Sequence, residues 1–149
     1  MQGWYCPALQ RCKKVNALIN KRKMQAIRKR FDIEITAPNS IVTETFELEK
    51  TIVSIVGLLL TSDNDGLLYN NGSQRIEING EEIFPEGYES KLLMSGVNVQ
   101  PNKRFYDLES LPPGNGRIKM EYTDTSGAIV TAAFVNYRVS LYLECIMED

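Results

Sequence analysis

Residues 75–84 read RIEINGEEIF, two alternating segments on either side of Asn79-Gly80. Both residues of that dipeptide tolerate positive φ, which the type I′ turn of a two-residue hairpin requires. The stretch therefore predicts two antiparallel strands, and the same period-two pattern recurs outward from it. FDIEIT at 31–36 sets Phe31, Ile33 and Ile35 against Asp32, Glu34 and Thr36, and TETFELE at 43–49 alternates around Phe46 and Leu48. TIVSIVGLLLT at 51–61 is apolar and β-branched enough for a strand covered on both faces. Further strands are expected at 91–99, 104–108 and 117–122. The stretch 128–147 is about twice an ordinary strand length, so it is one long bent strand or two with a break near Asn136. SDNDG at 62–66, PPGNG at 112–116 and TDTSG at 123–127 supply turns. Eight to ten short strands with no helix after Phe31 predict an all-β sandwich or barrel.

Ahead of these strands the chemistry changes. Residues 1–31 contain nine of the 17 basic residues and no acid. From Asp32 onward eight basic residues face all 19 acids, giving +9 for the front and −11 for the rest. Residues 8–30 are rich in Leu, Lys, Arg, Gln, Met and Ala, which predicts a helix, with Ala8, Cys12, Val15 and Ile19 at helical spacing. The expected organisation is a basic, helical N-terminal arm at 1–30 and a β-sandwich domain at 31–149. Cations clustered without compensating acids point to polyanion binding, to nucleic acid or an anionic membrane, through Arg11, Lys13, Lys14, Lys21, Arg22, Lys23, Arg28, Lys29 and Arg30. No recognised DNA-reading motif surrounds them, so base-specific contact is not expected. Apolar residues such as Trp4, Leu9 and Ile19 suit the arm equally to a bilayer surface.

The chemistry of the body is sparse. The chain has no histidine, and its three cysteines, Cys6, Cys12 and Cys145, show no CxxC spacing, so neither structural zinc nor a disulfide framework is expected. Loss of the commonest general base argues against an enzyme. The carboxylates Glu81, Glu82, Glu86 and Glu89 around the hairpin read as a solvated sheet rim. Asp63-Asn64-Asp65-Gly66 fails the calcium-loop pattern, with Leu67 and Gln74 where ligands belong, and reads as a turn. No cofactor motif is present.

A short basic arm before an eight-strand-sized β domain resembles single jelly-roll structural proteins of viruses. More narrowly, QRIEINGEEIFPEGYESKLLMSGVNVQPNKRFYDL at 74–108 resembles minor capsid, vertex or penton proteins of tailless icosahedral bacteriophages. The resemblance implies a jelly-roll-like β-sandwich in the virion, made in the host cytoplasm. It implies a homo-oligomer contacting other capsid subunits, with the arm turned inward to genome or internal membrane. Two rival readings are a soluble nucleic-acid-binding accessory protein and a carbohydrate-binding jelly-roll module. Against the second of these, the lone Trp4 lies outside the β body, which is left with no tryptophan to stack on sugar.

Overall fold

A computed structural model describes residues 22–128 and 134–149. Eight strands alternate in register with the apolar residues: β1 (Met24–Ile35), β2 (Ile41–Glu47), β3 (Ile52–Ser62), β4 (Gly72–Ile78), β5 (Glu81–Glu89), β6 (Tyr106–Leu111), β7 (Arg117–Asp124) and β8 (Tyr137–Glu148). They form two four-stranded antiparallel sheets, ordered β1-β8-β3-β6 and β2-β7-β4-β5. The sheets face each other across one core built from Ile33, Ile55, Leu58, Ile76, Ile118, Met120, Leu141 and Leu143, among others, all buried. Phe31 stacks on Phe46 at 4.7 Å between centroids, fixing β1 over β2 along one side. Phe84 meets Tyr106 edge-on at 5.5 Å, fixing β5 over β6 along the other.

The hairpin at Asn79-Gly80 forms as expected, with φ of 54° and 77° at its two turn residues. The central strand β3 shifts register against β8 at two points, between Ile52 and Ser54 and between Ile55 and Gly57. At Gly57 a Cβ would lie 3.0 Å from Phe105, so the missing side chain lets that ring cover the sheet.

Three expectations change. The helix predicted for 8–30 lies outside the described residues as far as position 21. From Met24 to Arg30 the chain is strand, paired residue by residue with β8 from Met24↔Glu148 to Ile35↔Tyr137. Helix propensity loses there because β8 offers a free edge and acids opposite the cations. Arg28, Lys29 and Arg30 therefore belong to the β body, not to an arm ending at residue 30. The stretch 91–99 is no strand; it holds part of a 3-10 turn, Ser90–Leu92, and an irregular loop. A helix also exists after Phe31: α1 (Asp65–Asn71), whose N-cap Asn64 accepts from the Leu67 N–H at 3.2 Å. At seven residues it is too short for periodicity to reveal. Among the described residues no helix is long and apolar enough to cross a membrane.

Candidate functional site

Antiparallel pairing sends the strand connections to two ends. One end gathers the connections β1–β2, β3–β4, β5–β6 and β7–β8, because Ile35 opposes Tyr137, Ser62 opposes Val139, Gly72 opposes Asp124 and Ser73 opposes Glu89. The other end gathers the remaining turns together with the start of β1 and the finish of β8.

The cations singled out by sequence fall near this second end or outside the described residues. Arg11, Lys13, Lys14 and Lys21 lie outside. Arg22 pairs with Glu148 at 2.9 Å, Arg28 with Glu144 at 3.6 Å, Arg30 with Asp32 at 2.8 Å, and Lys29 with Glu49. Lys23 gives its carbonyl to the Asp149 N–H at 3.2 Å. Arg28 also lies over the Phe105 ring, 5.2 Å from its centroid, and Arg30 over Tyr142 at 5.8 Å. Arg30 beside Asp32 holds that carboxyl below the usual carboxylate range. Four of the five described cations are thus matched to acids of the body, and their first role is to seat β1. Of the nine, six precede β1, and two of those six, Arg22 and Lys23, already contact Glu148 and Asp149 at the finish of the sandwich.

Glu81, Glu82, Glu86 and Glu89 are all exposed; Glu82 meets Arg75 at 2.8 Å and Glu89 meets Lys91 at 3.3 Å. Cys145 is buried among core residues, and burial pushes its thiol up to about 11, a poor nucleophile.

The first end, which sequence reasoning did not single out, is built differently. Beneath it the buried carboxylate of Asp124 accepts the Ser126 N–H at 2.8 Å, the Ser126 hydroxyl, the Tyr137 hydroxyl and the Asn39 N–H at 3.3 Å. Tyr122 reaches the Tyr137 oxygen at 3.0 Å. Burial lifts the Tyr122 phenol up to about 12 and the Tyr137 phenol higher still. Gly72 packs so close that a Cβ would fall 2.5 Å from the Tyr122 oxygen. Among the described residues no cation meets this carboxylate, and hydrogen bonds offset its desolvation.

Above the network the loops bond to one another. Asn39 accepts from the Gly127 N–H at 3.1 Å, Asn71 accepts from the Thr125 N–H at 3.0 Å, and the Leu93 carbonyl accepts from Leu60 at 3.1 Å. Arg104 folds back onto the carbonyls of Val99 (2.8 Å) and Val97 (3.3 Å). Uncharged runs at 35–43 and 125–137 contain the β1–β2 and β7–β8 connections, while those at 66–74 and 92–102 cover only part of the other two, which also carry Asp63, Asp65, Lys91, Lys103 and Arg104. Between α1 and the β5–β6 connection opens a groove of about 460 Å³, lined by Leu60, Tyr69, Asn70, Met94 and Val97, with Asp65 and Lys91 as its charged members. The sequence signal was present as four charge-free stretches, but only the pairing brings them together.

Comparison with protein-family models found no matching family, and searches of curated proteins and of solved structures found no match.

Proposed function

We propose that this protein is a non-catalytic virion component. It is a single jelly roll that assembles into a symmetric oligomer in a capsid, vertex or penton, with the segment before β1 meeting genome or internal membrane. The observation that carries the jelly roll is the pairing scheme. β1 pairs with β8, β2 with β7, β3 with β6 and β4 with β5, the scheme of one long hairpin rolled up, and β3·β8 and β4·β7 complete the two sheets. That architecture also carries lectins and enzymes, so the shell role is supported by the sequence resemblance and the charge partition rather than by fold.

The arm in this reading is residues 1–21, with Arg11, Lys13, Lys14 and Lys21 as its polyanion contacts. Four phosphate contacts give a slope of log affinity against log salt near −3. Changing all four to Gln in the full chain is expected to abolish that dependence, measured with DNA, RNA and anionic vesicles. If the unaltered chain binds none of these at low salt, the arm reading is dropped. Sedimentation of the full chain tests the assembly: a discrete oligomer is expected, and a monomer at every concentration rejects it.

A further inference from the structure

We infer that the free edge of β1 is a surface through which two copies of this chain join, pairing antiparallel with the same edge of a second copy about a two-fold axis at Phe31. The inference rests on the assembly reading above and names the contact that assembly would use.

Four strands border the two sheets, β1 and β6 in one, β2 and β5 in the other. An edge strand leaves a row of backbone N–H and C=O groups without a ladder, and proteins blunt such edges with proline, kinks and bulges. β5 carries Pro85 and a Gly87 at φ 79°, and its register against β4 shifts twice. β6 spans six residues, with Glu109 at φ 60°. β1 has none of these devices. It is 12 residues long, holds neither proline nor glycine, and keeps an unbroken register with β8. On its other side it has no ladder partner among the described residues.

The occupant follows from the order of charge. Along the outer face β1 exposes Arg28, Arg30, Asp32 and Glu34, two bases and then two acids. A second copy running antiparallel presents the same series reversed. With the axis at Phe31, residues whose numbers add to 62 face each other, so Arg30 faces Asp32 and Arg28 faces Glu34, and the two-fold repeats both pairs. On the inner face Phe31 meets its equivalent and Ile27 meets Ile35. Moving the axis by one residue sets Arg30 on Arg30 or Asp32 on Asp32. A slip by half that step turns the core face of one copy toward the solvent face of the other. The strand therefore complements itself in one register. β2, with Glu44 and Glu47 and no base, does not, and residues 1–21, which hold no acid, could not answer Arg28 and Arg30. The groups are also open to a partner: among the described residues Glu34 enters no ion pair, and the hydrogen bonds to Asp32, from Arg30 and Ser140, both fall on Oδ1.

The test follows association of the full chain by sedimentation under reducing conditions, with Arg28→Glu and Glu34→Arg. Each variant turns two opposite pairs per dimer into like pairs and is expected to raise the dissociation constant about ten-fold or more. Mixed in equal amounts, the two should regain the affinity of the unaltered chain, because the new acid at position 28 of one faces the new base at position 34 of the other. Circular dichroism and melting temperature report whether each variant folds. If R28E does not, Glu34→Gln and Glu34→Arg carry the test, weakening association in that order, and any other order overturns the inference. An unaltered chain that associates while its variants do so equally well overturns it and leaves the assembly reading standing. A mixture no tighter than its components does the same, since the losses would then come from the seating of β1 on β8. An unaltered chain that stays monomeric at every concentration overturns both.

Discussion

The two ends of the sandwich are bordered by the same eight strands and held by opposite means. At one end a buried carboxylate, two phenols and a serine satisfy each other in the interior beneath the strand connections. At the other, exposed ion pairs such as Arg22–Glu148 and Lys29–Glu49 fasten β1 to its neighbours in full view of water. Buried networks are strong while complete and costly when broken, whereas exposed pairs contribute little each and are screened by salt. The difference teaches which end stays rigid until its network is broken and which loosens as salt rises.

The largest effect is expected from Asp124→Ala. It strands the Ser126 and Asn39 N–H groups and the Tyr137 hydroxyl, so denaturation should show a loss of about 4 kcal/mol. Hydrogen exchange should rise in the connections at residues 36–40 and 125–128. A loss spread evenly over both ends would break the comparison.

Raising the pH comes next. Because folding lifts the Tyr122 phenol from its ordinary 10 to about 12, the stabilisation is complete below pH 10 and disappears as pH climbs to about 12. Tyr122's share of the loss over that window is roughly 2–3 kcal/mol, and Tyr122→Phe should make the decline shallower while leaving the part that Tyr137 causes. An unchanged alkaline profile in that variant would show that the phenol does not set the limit.

At the opposite end Arg28→Gln removes both the Glu144 pair and the contact over Phe105, at an expected cost of about 1 kcal/mol. The smallest effect sharpens the contrast. Raising salt from about 0.1 to 1 M should cost under ~1 kcal/mol, with faster exchange confined to β1 and the finish of β8.

Much of the architecture was legible because alternation survives wherever one face is buried. Ile76 and Ile78 against Glu77, or Ile118 and Met120 against Lys119, announce their strands without help. Residues 24–30 hid theirs: Lys29 lies on the alternate face that Ile27 and Phe31 share, while Met24 and Ala26 lie on the outer one, so polarity inverts the pattern. Only an edge supplied by β8, over a hundred positions later, decides the matter. Asp124 was equally opaque. In TDTSG it looks like any turn carboxylate, and its partners Asn39 and Tyr137 come from other strands' ends. The nine-cation cluster was visible, but the acids that neutralise part of it are visible only in register.

The nested pairing also dictates a timetable. Ile78 and Glu81 meet across a two-residue turn, while Ile55↔Leu111, Glu47↔Arg117 and Ile35↔Tyr137 close separations of 56, 70 and 102 positions, taken as differences of their numbers. Loop-closure entropy grows with each step, so the inner hairpin is the natural nucleus and every later pair condenses on the one before. Contacts this distant slow the search to the millisecond-to-second range typical of all-β domains. On the ribosome β1 emerges ahead of the other seven described strands yet waits for its ladder partner β8, the last of the eight to be made. Until then the whole acidic body must stay in solution with an unpaired, cation-bearing strand at its front.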